Sequence, residues 1–149
     1  MITEIIELYQ NNTHNAEINA SLDKMPPNIK GDSIRLRQLL HNLIKNALEA
    51  MHNQRQAKVQ ITTRCFEISG VPFVSLVVLD DGPGFSDKVL DRLFEPYVST
   101  KSKGNGLGLA IVKKIVEEHG GTILAENAPQ HGARIKIRLP IINLSLIHI

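Results

Sequence analysis

At 149 residues the chain is long enough for one domain with a sizeable core, and its 42% apolar and 21% charged residues are the balance of an ordinary globular protein. A formal net charge of +2, 4% aromatics and no tryptophan argue against nucleic acid as a partner, and the single cysteine, Cys65, excludes a disulfide framework or a multi-thiolate zinc site. No apolar run approaches the ~20 residues of a membrane helix, so the domain is expected to be cytoplasmic and to make no membrane contact, whether or not a parent protein is anchored.

Periodicity then divides the chain. Ile2, Ile5, Ile6 and Tyr9 mark a short helical stripe over residues 2–10. Ile18, Ala20 and Leu22 alternate as in a strand, and Pro26-Pro27 forces a non-helical break after it. Asp32-Ser33 is a cap for a long helix whose apolar positions are Leu36, Leu39, Leu40, Leu43, Ile44, Ala47, Leu48 and Met51. Val59, Ile61, Thr63 and Cys65 predict a strand with one buried face, which would bury Cys65 and leave it inert. Phe73–Leu79 reads as a buried strand. Glycine-rich, polar segments at Asp80–Gly84 and Lys101–Gly108 bracket Leu90–Val98. Leu109, Val112, Ile115 and Val116 return to helical spacing, stopped by Gly120-Gly121. Two strands close the pattern, at Thr122–Glu126 and Ala133–Leu139. These elements predict an α/β fold, a mixed sheet covered on one face by helices.

Familiar nucleotide and metal signatures are absent. There is no P-loop, the Gly104-Asn105-Gly106 run lacks the third Rossmann glycine because position 109 is Leu, and the six histidines do not cluster. Asn42 and Asn46 share one helix face; they either face solvent or turn their amides to an ion or ligand, with Lys45 able to reach an anion from the helix edge. Asp80-Asp81-Gly82-Pro83-Gly84 is either a plain turn or a carboxylate presented to a ligand at a strand end. Gly104–Gly108 is either a flexible surface loop or a phosphate-binding entry to the helix beginning near Leu109, with Lys101 and Lys103 beside it.

In order, these segments resemble the four boxes of the ATP-binding catalytic domain of sensor histidine kinases, in the superfamily shared with DNA gyrase, heat-shock chaperone and mismatch-repair ATPases. Leu39–Ala47 is similar to the N box, Asp80–Phe85 to the first glycine box, Leu93-Phe94-Glu95-Pro96-Tyr97 to the F box and Gly104–Leu109 to the second glycine box. The wording of the N and F boxes is nearest to nitrogen-regulation-type kinases.

The resemblance implies a two-layer α/β sandwich with a glycine-rich ATP lid. By position, Asn46 would coordinate Mg²⁺, Asn42 would assist at the metal or phosphates, and Lys45 would contact the phosphates. Asp80 would accept from the adenine amino group, with Gly82 and Gly84 letting the base lie close. Lys101, Gly104, Gly106, Leu107, Gly108 and Leu109 would line the lid and phosphates. The implied activity is transfer of the ATP γ-phosphoryl group to a histidine on a separate helical hairpin, and from there to a response regulator receiver domain. Relatives that hydrolyse ATP carry a glutamate where this chain has Asn42, and an amide cannot serve as that base. Ala133 replaces a hydroxyl residue common near the adenine.

No histidine here has a phosphoacceptor context. Residues 1–14 are therefore expected to end a linker from the missing hairpin, residues 15–140 to form the catalytic domain, and residues 141–149, short, apolar and unpatterned, to be a non-native or disordered tail. Arg35 and Arg37 are expected to face solvent or the missing hairpin, and Phe94 and Tyr97 to pack beneath the lid. A nucleotide-binding module without completed catalysis, and a hydrolysing ATPase of the same superfamily, are the alternatives.

Overall fold

A computed structural model of the chain describes residues 2–12, 16–23, 33–52, 56–96 and 108–141. Nine elements occur among them in the order α1 (Ile2–Asn12), β1 (Ala16–Ser21), α2 (Ser33–Ala50), β2 (Ala57–Ile68), β3 (Val71–Asp80), α3 (Asp87–Leu90), α4 (Gly108–Glu118), β4 (Thr122–Asn127) and β5 (Ala133–Pro140). The strands form one sheet in the order β1-β2-β3-β5-β4. Among these strands β1–β2 is the parallel pair; β2–β3, β3–β5 and β4–β5 run antiparallel. The sheet is mixed, and its helices cover one face, as the alternation requires.

Register explains why the cover is one-sided. Ile61 pairs with Val78, Val78 with Ile135 and Leu76 with Ile137, so the buried residues of three strands stand on the same side. They meet the α2 stripe of Leu36, Leu39, Leu40, Leu43, Ile44 and Ala47 and the α4 stripe of Leu109, Val112, Ile115 and Val116. Each fully buried Leu or Ile contributes about 1.5–3 kcal/mol of transfer free energy. The opposite face is polar and half-exposed: Phe66 stacks on Phe73, Arg138 lies 5.5 Å over Phe66, and Glu126 pairs with Arg134 and Lys136. Those two cations hold the Glu126 carboxyl below its ordinary range, Lys136 most strongly.

α1 packs on α2 and β1, with Ile5 in the core. The Tyr9 hydroxyl lies 3.1 Å from His41 Nδ1, and Arg37 pairs with Glu4 at 2.9 Å. Arg35 reaches Glu118 of α4 at 3.1 Å. Both arginines expected at solvent or at a missing partner thus join helices within this chain. α4 closes with Gly121 N–H donating to Val116 O (2.9 Å) and Gly120 N–H to Glu117 O (3.0 Å), the pairing that satisfies a helix C-terminus.

Cys65 departs from expectation. It stands on the core side of β2 beside the buried Val74, yet the residue is exposed; it lies beyond Thr62, the last residue of β2 that pairs with β1. Its N–H donates to Asp23 Oδ2 at 2.8 Å, and partial desolvation, then the Asp23 carboxylate, raises the thiol pKa. Both effects disfavour the thiolate, the reactive form.

Ile44 is fully buried between the layers. Ile44→Ala should cost about 2–5 kcal/mol, read in urea as a lower midpoint with an unchanged m-value.

Candidate functional site

Helical spacing sets one wall of the site. Asn42 and Asn46 lie four residues apart on α2, both half-buried, and the same line ends at Ala50. Asn46 stands one turn (about 6 Å) and Asn42 two turns (about 12 Å) before Ala50 along the axis. The loop after β3 closes that end: a Cβ built on Gly82 would lie 3.1 Å from Met51 Cγ and 3.6 Å from Ala50 O. One extended ligand can therefore touch the loop with one end and the asparagines with the other.

The asparagines differ in what holds them. Among the described residues, the Nδ2 of Asn42 is the one side-chain nitrogen or oxygen sealed from solvent without a hydrogen-bond partner. Such a group costs about 1–3 kcal/mol, and it is a donor, so an oxygen acceptor, a ligand's anionic oxygen among the possible ones, would satisfy it.

Asp80 anchors the other end. It is the last residue of β3 and is buried at 6% exposure, one of two buried polar side chains among the described residues, with Thr63. Its Oδ1 accepts from Gly82 N–H at 2.9 Å and from Ala133 N–H at 3.2 Å. The first bond is an Asx turn that folds the loop back on itself; the second ties the loop to the start of β5. Gly132, at φ +98°, brings the β4–β5 turn so close that a Cβ on it would sit 1.9 Å from Asp80 O. No side chain fits there. Ala133, which the resemblance places where many relatives carry a hydroxyl, bonds Asp80 through its backbone N–H.

α4 packs against α2, and its first turn begins at Gly108 and Leu109, whose N–H groups have no partner within the helix. A Cβ added at Gly108 would meet nothing within 4 Å, whereas Leu109 is a core residue. Lys45 sits elsewhere: its side chain is 69% exposed, 4.0 Å from Glu49, off the asparagine line. Leu93 is buried and Phe94 half-buried, with Lys113 Nζ 5.9 Å from its ring. Lys101, Gly104, Gly106, Leu107 and Tyr97 lie outside the described residues.

One residue of this neighbourhood had no motif to announce it. Asn127, the last residue of β4, accepts from Phe85 N–H through Oδ1 and donates to Phe85 O through Nδ2, both at 2.8 Å. An asparagine before Ala128-Pro129 reads as ordinary turn chemistry.

Among the described residues no group of three or more His, Cys, Asp or Glu could hold a metal. The donor set is instead amide oxygens next to an anion-seeking N–H. That fits a hard cation bound mainly through a ligand's own phosphates and water, the habit of Mg²⁺.

Residues 31–143 match the model of the histidine kinase-, DNA gyrase B- and HSP90-like ATPases. The chain is 38% identical over 115 residues to a putative NtrY-like sensor histidine kinase of Rickettsia felis, covering 77% of this chain and 18% of that protein. It is 38% identical over 144 residues to the sensor histidine kinase ZraS of Klebsiella oxytoca, covering 95% of this chain and 30% of that protein. The chain thus spans less than a third of the length of these curated relatives. Among solved structures it is similar to full-length ShkA in complex with AMPPNP (TM-score 0.79, 30% identity, 97% of this chain and 30% of that one). It is also similar to the histidine kinase ThkA in complex with the response regulator TrrA (TM-score 0.75, 28% identity, 95% of this chain and 39% of that one).

Gly132→Ala should destabilise the domain by roughly 2 kcal/mol or more, because strain at positive φ adds to the contact with Asp80 O. A thermal melt checks this.

Proposed function

The chain belongs to the histidine kinase-, DNA gyrase B- and HSP90-like ATPase family, as the catalytic domain of a sensor histidine kinase, and from that premise we propose how its residues serve phosphoryl transfer. The substrate is Mg·ATP laid along α2. Asp80 accepts from the adenine amino group, and the Gly82 backbone lets the base lie against the loop. The phosphates reach the asparagine line, where the sealed N–H of Asn42 donates to a phosphate oxygen and the amide oxygen of Asn46 holds the metal. The amides of Gly108 and Leu109 add donors at a helix N-terminus. Charge neutralisation on the phosphates is what Mg²⁺ supplies when bound.

The acceptor is a histidine nitrogen on a separate helical hairpin of the parent kinase. A P–N bond forms there as the bond from the γ-phosphorus to the β,γ-bridging oxygen breaks, and ADP leaves. The phosphoryl group then passes to a response regulator receiver domain; the ThkA–TrrA complex shows such a regulator on a related kinase. Asn42 supports transfer over hydrolysis: its amide has no basic lone pair to take a proton from water. The observation that carries this reading is the pairing of a buried acceptor, Asp80, with an unsatisfied donor, Asn42 Nδ2, at the two ends of one line.

Two experiments test it. Calorimetric titration of wild type with AMPPNP should show binding that requires Mg²⁺, weakened about 10- to 100-fold in Asp80→Asn, the worth of one hydrogen bond to a charged group. Equal affinity in wild type and Asp80→Asn would overturn the adenine assignment. With γ-labelled ATP and the phosphoacceptor hairpin of the NtrY-like relative added in trans, the label should appear on the hairpin in acid-labile form. Comparable phosphate release without any hairpin would assign hydrolysis instead.

A further inference from the structure

We infer that Asn127 is a positioning residue for the nucleotide: it holds the Asp80–Phe85 loop in the shape the base requires, without touching the ligand itself. This rests on the function proposed above.

The side chain is a primary amide, and it pairs with Phe85 as one peptide group pairs with another. Oδ1 accepts from Phe85 N–H and Nδ2 donates to Phe85 O, each at 2.8 Å, across 42 residues of sequence. The pair closes a small ring that fixes both polar groups of one residue. Neither Asp, which lacks the donor, nor Ser, which is shorter, can close it.

Gly84 shows how closely the loop is fitted to Asn127. Its φ is +79°, and a Cβ there would lie 2.7 Å from Asn127 Oδ1 and 3.2 Å from Asn127 Cγ. The amide occupies the room a side chain at position 84 would need. Glycine at 84 is therefore required twice, by its backbone conformation and by the neighbour that holds it.

The far end of the loop is held by the same turn. Ala128 N–H donates to Gly132 O at 2.9 Å, closing the β4–β5 connection, and Gly132 and Ala133 then lie against Asp80. One turn thus grips the loop at both ends, Asn127 at residue 85 and Ala133 at residue 80. Gly82 lies between them. Releasing Asn127 frees one end and leaves the Asp80 bonds and the α2 asparagines in place. The loss should fall on the base and spare the phosphates.

That asymmetry gives the test. Wild type, Asn127→Ala and Asn127→Asp are titrated with AMPPNP and, separately, with inorganic tripolyphosphate, both with Mg²⁺; tripolyphosphate has no base to be positioned. Asn127→Ala should weaken AMPPNP about tenfold, on the scale of the hydrogen bonds removed from a partly solvated site, and leave tripolyphosphate affinity within about twofold. Asn127→Asp keeps the shape and the acceptor but sets an oxygen against Phe85 O in place of the donor, so it should weaken AMPPNP at least as much and again spare tripolyphosphate. It also keeps the inference testable if the alanine variant folds poorly. Unchanged AMPPNP affinity in both variants would overturn the inference. So would equal weakening of the two ligands, which marks a merely structural residue. If wild type itself binds no AMPPNP, the proposed function falls first, and the inference with it.

Discussion

A single carboxylate oxygen organises this domain. Oδ1 of Asp80 sits at the end of a core strand and takes hydrogen bonds from Gly82, two residues on, and from Ala133, 53 residues on. A buried carboxylate is costly unless it is bonded, so these two N–H groups are a condition of placing it there. Satisfying them sets the rest: the loop must turn back at Gly82, and β5 must begin beside β3. The turn before β5 must also approach so closely that only Gly132 fits. The site is thus built by the same contacts that join the two central strands. Its geometry cannot loosen without costing the sheet.

The other half of the site derives from a helix that is apolar on one side. α2 turns a core face of leucines to the interior, which presses it against the sheet and against α4. Its asparagines are left along a neighbouring line, close enough to the interior that the Asn42 amide nitrogen is sealed from water. A carboxamide at that position is too weakly basic to take a proton from water. In the function proposed above, that favours transfer of the phosphoryl group to a histidine over hydrolysis. Tyr9 and Arg37, through His41 and Glu4, also bind α1 to this helix.

Much of this was legible because it depends on local periodicity. Leucine spacing gave α2 and α4, alternation gave β2 and β5, and Asp80–Gly84 after an apolar strand marked the loop. The features that escaped depend on contacts between distant segments. The alternation of β2 put Cys65 on the core side, but which positions of a strand are covered is a tertiary fact, and Cys65 lies beyond Thr62, the last residue paired with β1. Arg37 is exposed as expected, but the ion pairs of Arg35 and Arg37 were not legible because Glu118 and Glu4 are far away in sequence. Lys45, a phosphate ligand by its place in the box, has an exposed side chain 4.0 Å from Glu49. Asn127 looked like turn chemistry because its amide answers a residue 42 positions earlier.

The central claim is that one nucleotide spans the site from Asp80 to Asn42. The most direct measurement is a ¹H–¹⁵N nuclear magnetic resonance titration of the labelled domain with Mg²⁺ and AMPPNP. It would follow the side-chain amide signals of Asn42 and Asn46 together with the backbone signals of Gly82 and Ala133. All four should shift along one binding curve, with the Asn42 Nδ2 protons moving in the direction of a new hydrogen bond. Shifts at Gly82 and Ala133 with both asparagine side chains unmoved would contradict it, because the ligand would then touch only one end of the line.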